Sequence, residues 1–171
     1  MSQSFLLDRQ IRIAVLTVSD TRTKHTDQSG ALVHQLALDH ELEVVAYEVR
    51  KDDSECIRGI LSVWLKNESV DAIITTGGTG IAKRDVTLEV VQPFFEKEMS
   101  GFGELFRYLS FTEDVGSKAL LSRAGAGVAS NKAIFVLPGS RGAVKLAMER
   151  LILPEIRHIV FELTKHCQLR M

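Results

Sequence analysis

The stretch "DAIITTGGTGIAKRDVTLEV", residues 71–90, carries an apolar run into three glycines, then a basic pair and an aspartate. Its first part, "DAIITT" (71–76), is short and β-branched, the pattern of a buried strand. Val86, Val90 and Phe94 then recur at helical spacing and outline a helix starting around Asp85. Strand, bare turn and helix in that order describe one corner of a parallel α/β unit. The turn itself has two readings. Glycine meets a backbone need for a sharp bend, or exposed backbone and a fixed carboxylate serve a bound phosphate and its metal.

Outward from this corner the same alternation repeats. "IRIAVLTV" (11–18), "LEVVAYEV" (42–49) and "KAIFVL" (132–137) read as further strands. Leu32, Val33, Leu36 and Ala37 mark a helix beginning near Ser29, and Ile57, Ile60, Leu61, Trp64 and Leu65 mark another with Asp53 or Ser54 as N-cap. Val144, Ala147, Met148 and Leu151 form a helical face, and Ile156, Ile159, Val160 and Leu163 another beyond Pro154, which is expected to break or bend the run. "GFGELFRYLSF" (101–111) has a helical look, while "SRAGAGVAS" (122–130) reads as an edge strand or hairpin. The predicted fold is α/β with three layers: a mostly parallel sheet covered by helices on both faces. No linker or repeat divides residues 1–171, so a single domain is expected.

Composition narrows the function classes. The chain is 45% hydrophobic and 25% charged, ordinary globular usage for 171 residues. A net charge of -1 argues against a surface built for nucleic acid or acidic lipid. Cys56 and Cys167 have neither CxxC nor zinc spacing, which suits a reducing cytosol. The start "MSQSFLLDRQ" lacks a signal-peptide pattern, and no run reaches the ~18 apolar residues of a membrane span. A cytoplasmic protein is expected.

The polar residues collect where strands end. The first strand runs into Ser19, Asp20, Thr21 and Arg22; the second into Arg50, Lys51, Asp52 and Asp53. The third meets Gly77, Gly78, Thr79 and Gly80, followed by Lys83, Arg84 and Asp85; "KAIFVL" meets Pro138, Gly139, Ser140 and Arg141. Parallel strands bring these segments to one rim, where ligands of open α/β sheets bind. Glycines admit phosphate oxygens to backbone N–H groups, and two carboxylates from separate loops can hold Mg²⁺. The mixture suits a nucleoside triphosphate. Bland readings stand beside this one: Asp85 as a cap of its helix, Asp52 and Asp53 as loop and cap, and Pro138-Gly139 as a simple turn. Gly78-Thr79-Gly80 meets neither the dinucleotide nor the Walker pattern, and the five histidines show no metal-ligand spacing.

Taken together, "TTGGTG" and "RDVT" within 75–87, "VSD" (18–20), "DQSG" (27–30), "GFGE" (101–104), "LSR" (121–123) and "PGS" (138–140) resemble the MoaB/MogA family of molybdenum-cofactor biosynthesis, which also includes the gephyrin G domain. The similarity spans residues 11–163, and "TVSDTRT" and "FGELFRYLSF" resemble the MoaB branch. The resemblance implies a molybdopterin-binding fold and molybdopterin adenylyltransferase activity: AMP passes from Mg-ATP to the terminal phosphate of molybdopterin, and pyrophosphate leaves. It implies homotrimers or homohexamers, other cofactor-biosynthesis proteins as partners, and neither nucleic acid nor membrane. Carried onto this chain, Asp52 and Asp85 are catalytic and hold Mg²⁺. Gly77, Gly78, Thr79 and Gly80, with Ser19 and Asp20, bind nucleotide or phosphate. Ser122, Arg123, Pro138, Gly139 and Ser140 line the cleft for pterin or nucleotide. Two departures stand out: the family's frequent "DVTPE" is Asp85-Val86-Thr87-Leu88-Glu89 here, and "PGFGE" begins with Ser100. Neither removes a charge. A non-catalytic molybdopterin carrier is the alternative from the same resemblance; a flavodoxin-like mononucleotide carrier is the alternative from the residues alone.

Overall fold

Strand β1 (Arg12–Val18) is buried along almost its whole length, and β3 (Ala72–Thr76) and β6 (Lys132–Leu137) are buried at every residue. Such strands need cover on both faces. In the computed structural model, which describes residues 7–168, they lie at the centre of a six-stranded sheet of order β2-β1-β3-β6-β5-β4. The strands β2 (Glu43–Arg50), β1, β3 and β6 run parallel; β5 (Gly125–Ala129) and the short β4 (Lys97–Glu98) complete an antiparallel edge.

Alternation along the strands divides the core in two. Ile13, Val15, Ile74, Ala133 and Phe135 face one side, against helices α1 (Gln28–Asp39), α4 (Ser100–Glu113), α5 (Arg141–Ala147) and α6 (Leu153–Gln168). Ala14, Leu16, Ile73, Ile134 and Val136 face the other, against α2 (Ser54–Lys66) and α3 (Thr87–Val91). The result is the expected three-layer α/β architecture. Side chains cap three of the helices: Asp27 accepts from Gly30 N, Asp53 from Cys56 N and Ser140 from Ala143 N.

Helix α1 begins at Gln28, near Ser29 as read, with Asp27 as its cap. The structure differs from the sequence reading in three places. Helix α3 begins at Thr87 rather than around Asp85, and Phe94 falls in the 3-10 turn that follows it. Strand β4 has no sequence signal; it pairs beside Gly127, where a Cβ would overlap the Phe95 ring. Pro154 does not end the last helical run. Backbone at Leu153 stays helical (φ -60°, ψ -38°), and a π-turn over Met148–Ile152 takes up the register slip just ahead of the residue that has no N–H to donate. Among the described residues, no helix is long and apolar enough to cross a membrane.

Register decides where the loops meet. Val18 is level with Arg50, Thr17 with Thr76, and Thr76 with Leu137. The four parallel strands therefore release their chains at one rim. Between β1 and β3 the strand order reverses, with α1 on one face and α2 on the other. A crevice opens at such a point.

Candidate functional site

The glycine turn sits in that crevice. Gly77 and Gly78 have φ of +94° and +66°, and a Cβ on Gly77 would overlap the Val18 carbonyl oxygen. Here glycine is required by the backbone itself. The turn is tied from two sides: Gly77 N donates to Leu137 O (3.0 Å), Thr87 Oγ1 donates to Gly77 O (2.9 Å), and Thr87 N donates to Gly78 O (3.0 Å). Thr76 Oγ1 donates to Pro138 O (3.0 Å), which joins the turn to the loop after β6. The backbone reading of the glycines thus holds, and a backbone held this firmly also presents a fixed surface.

Two carboxylates flank it. Asp52, from the loop after β2, stands with Oδ1 3.0 Å from the place a Gly78 Cβ would occupy, and it accepts from Val86 N at 3.4 Å. Asp85 lies at the end of the glycine segment, with Oδ2 2.5 Å from the corresponding position on Gly80 and accepting from Ala82 N at 3.2 Å. Helix α3 starts after Val86 with no side-chain cap, so the capping role is not what holds Asp85 there. Burial pushes the Asp52 carboxyl above its usual value; the Val86 N–H opposes this, and the negative charges of Asp85 and Glu89 add to it. The charge of Asp85 is therefore felt at Asp52 across the loop. No group of three or more His, Cys, Asp or Glu side chains is placed to hold a metal among the described residues, so the acidic donors here are a pair.

The remaining residues singled out from sequence fall around this pair. Asp20 Oδ1 accepts from Asp52 N at 3.1 Å, and its other oxygen is paired with Arg84. Ser19 Oγ accepts from Thr21 N and Arg22 N, organising its own loop rather than facing the glycines. Gly77, Gly78, Thr79, Gly80, Asp85, Ser122, Pro138 and Gly139 share a cleft of about 360 Å³. Arg123 pairs with Glu89 and, with Ser122, lines a neighbouring cleft of about 410 Å³ beside the start of α4. Ser122 belongs to both, so the two clefts adjoin. Ser140 is occupied as the α5 cap (3.2 Å to Ala143 N).

Sequence reasoning missed two contributors. Glu89 was read only as part of a motif, yet its charge reaches Asp52 and its carboxylate holds Arg123. Lys118, with Val115 and Leu121, lines the glycine cleft from the 3-10 turn Gly116–Leu121. That turn has no periodic pattern; its only signal is adjacency to "LSR". A third feature was read only as loop polarity: Arg22 Nη1 and Ser29 Oγ both donate to Gly139 O, at 3.4 and 2.7 Å, bracing the loop after β6.

A doubly wound α/β protein with a pinned glycine turn and two carboxylates at its switch point is of the class that binds its ligands in the crevice beyond the strand ends. Comparison with known proteins narrows the class. The family described as "Probable molybdopterin binding domain" matches residues 14–158. Molybdenum cofactor biosynthesis protein B of Staphylococcus carnosus (strain TM300) is 58% identical over 161 residues, covering 93% of this chain and 94% of the relative. A crystal structure of a Molybdenum cofactor biosynthesis protein B superposes with a TM-score of 0.91 at 49% identity, covering 94% of this chain and 99% of that one. The tungsten cofactor synthesizing protein MoaB from Pyrococcus furiosus gives 0.78 at 36% identity, covering 90% and 97%. The chain belongs to the molybdopterin-binding domain family, in agreement with the MoaB/MogA resemblance of its motifs.

Proposed function

We propose that this protein acts in molybdenum cofactor biosynthesis, binding molybdopterin and transferring AMP from Mg-ATP to its terminal phosphate. The family membership supports the pterin. The observation that carries the nucleotide chemistry is the convergence of Asp52 and Asp85, from loops after different strands, on the two sides of one glycine turn.

The donor set fits Mg²⁺. This ion takes oxygen ligands and commonly uses one or two carboxylates, leaving its other positions to water and substrate phosphates. Asp52 and Asp85 would hold it; the Asp52 carboxyl is raised first by burial and then by the negative charges of Asp85 and Glu89, and a cation would offset both. When bound, Mg²⁺ would supply charge neutralisation and polarisation at the triphosphate. The chain's own residues do the rest. The Gly77–Gly80 backbone orients the phosphates, and Pro138–Gly139, braced by Arg22 and Ser29, forms the facing floor. An oxygen of the molybdopterin phosphate attacks the α-phosphorus of ATP; the new P–O bond forms as the bridge to the β-phosphate breaks, and pyrophosphate departs with the electron pair. The nucleophile is already an anion, so alignment and charge screening carry the rate and no covalent enzyme intermediate is needed. Of Lys83, Arg84 and Arg141, the cations that would offset the charge of pyrophosphate, Arg84 must leave Asp20 before it can meet a phosphate.

In the same reading the protein is cytoplasmic and works as a homotrimer or homohexamer alongside other cofactor-biosynthesis proteins. The test is incubation of the purified chain with molybdopterin and Mg-ATP. Formation of adenylylated pterin and pyrophosphate is expected; tight pterin binding without nucleotide turnover would select the carrier reading instead.

A further inference from the structure

We propose that Lys118 is a phosphate-binding residue of the glycine-loop cleft, and that the 3-10 turn carrying it is the wall against which the ligand closes. The inference rests on the proposed function in taking the ligand to be phosphate-bearing.

The cleft has two unlike sides. One is backbone: the glycine segment and Pro138–Gly139, together with the acid Asp85. The other is the turn Gly116–Leu121 and its flanks, which contributes Val115, Lys118 and Leu121. Among the described residues Lys118 is the only cation lining this cleft, and it makes no ion pair or side-chain hydrogen bond there. The guanidinium groups nearby are engaged: Arg84 with Asp20 and Arg123 with Glu89. A polyanion entering the cleft meets the glycine segment and the Asp85 carboxylate on one side and needs a mobile positive charge on the other. An ammonium on a four-carbon stem is suited to that, since it can follow a phosphate as a point charge without fixed geometry. Val115 and Leu121 stand 41% and 53% exposed beside it, leaving apolar surface for the ring portion of the same ligand. The bland description is a solvated lysine on a surface turn, whose charge matters to no ligand.

Titration calorimetry on the full chain separates the two. The variants are Lys118→Met, which keeps the length of the stem, and Lys118→Arg, which keeps the charge; the probes are Mg-ATP, inorganic tripolyphosphate and molybdopterin. Loss of one charge-assisted contact predicts about tenfold to hundredfold weaker binding in Lys118→Met. Lys118→Arg should recover most of it, binding to Lys118→Met should be less salt-sensitive, and the melting temperature should not move. Weakening with ATP and tripolyphosphate but not molybdopterin assigns Lys118 to the nucleotide phosphates; weakening with molybdopterin alone assigns it to the pterin phosphate. Equal affinity of wild type and Lys118→Met for all three probes overturns the inference, as does a wild-type protein that binds none of them. Binding through Lys118 with no AMP transfer leaves it standing while removing the proposed reaction.

Discussion

Asp85 caps nothing, and that separates its chemistry from its structural cost. Asp85→Ala is expected to lower AMP transfer by at least about a hundredfold while the melting temperature stays within a few degrees, as for surface changes that break no buried contact. A purified variant that is unfolded by circular dichroism would return Asp85 to the scaffold. The paired carboxylates make a second prediction. Asp85→Asn removes one of the charges that raise the Asp52 carboxyl, so Asp52 should titrate at lower pH and remain ionised further into acid. Carboxyl-carbon NMR reads this directly, and an unmoved titration would show that the two groups do not interact. At Gly77 the sign is structural. Alanine there meets both a φ of +94° and the Val18 carbonyl, and should cost about 2 kcal/mol or more in chemical denaturation. The readings of Gly77 and Asp85 were both legible as alternatives in the sequence. The backbone contact decided Gly77, and the absence of a cap removed the capping reading of Asp85.

Among the elements, the parallel strands were the easiest to read, because burial on both faces leaves continuous apolar runs with turn residues at their ends. Strand β4 and the turn Gly116–Leu121 were not legible: two residues and one 3-10 turn are too short to carry a period. At the opposite end of β3 from the site, Asp71 ties the sheet to its entry segment. It accepts from Arg9 Nη1 and Nη2 at 2.7 and 2.8 Å and from Arg12 N at 2.8 Å. Burial alone would raise the Asp71 carboxyl, but the bonds from Arg9 and Arg12 outweigh it and hold it below the usual 3.8. A folded-state pKa below the unfolded one gives stability that is present above about pH 4 and fades as pH falls through the folded value. Asp71→Asn should therefore lower the melting temperature at pH 7 and flatten its fall below pH 4. Equal acid sensitivity in both proteins would exclude this role.

For the whole molecule, assembly is the open expectation. Leu105, Tyr108 and Phe111 on α4 and Leu120 on the adjoining turn are all more than half exposed, with Leu120 at 88%. Analytical ultracentrifugation is expected to give a trimer or hexamer, and Phe111→Glu combined with Leu120→Glu to shift it toward monomer; a wild-type monomer at micromolar concentration would dismiss the proposed assembly. Sequence alone determined the three-layer α/β class and the ends of the parallel strands, because periodicity and turn chemistry are local and survive in a linear reading; its motifs carried the family resemblance. The effect of Asp85 and Glu89 on Asp52 and the placement of Lys118 in the cleft of the glycines were decided by tertiary structure. Those residues lie on separate elements, and only the register of the parallel strands and the packing of the antiparallel edge bring them to one end of the sheet.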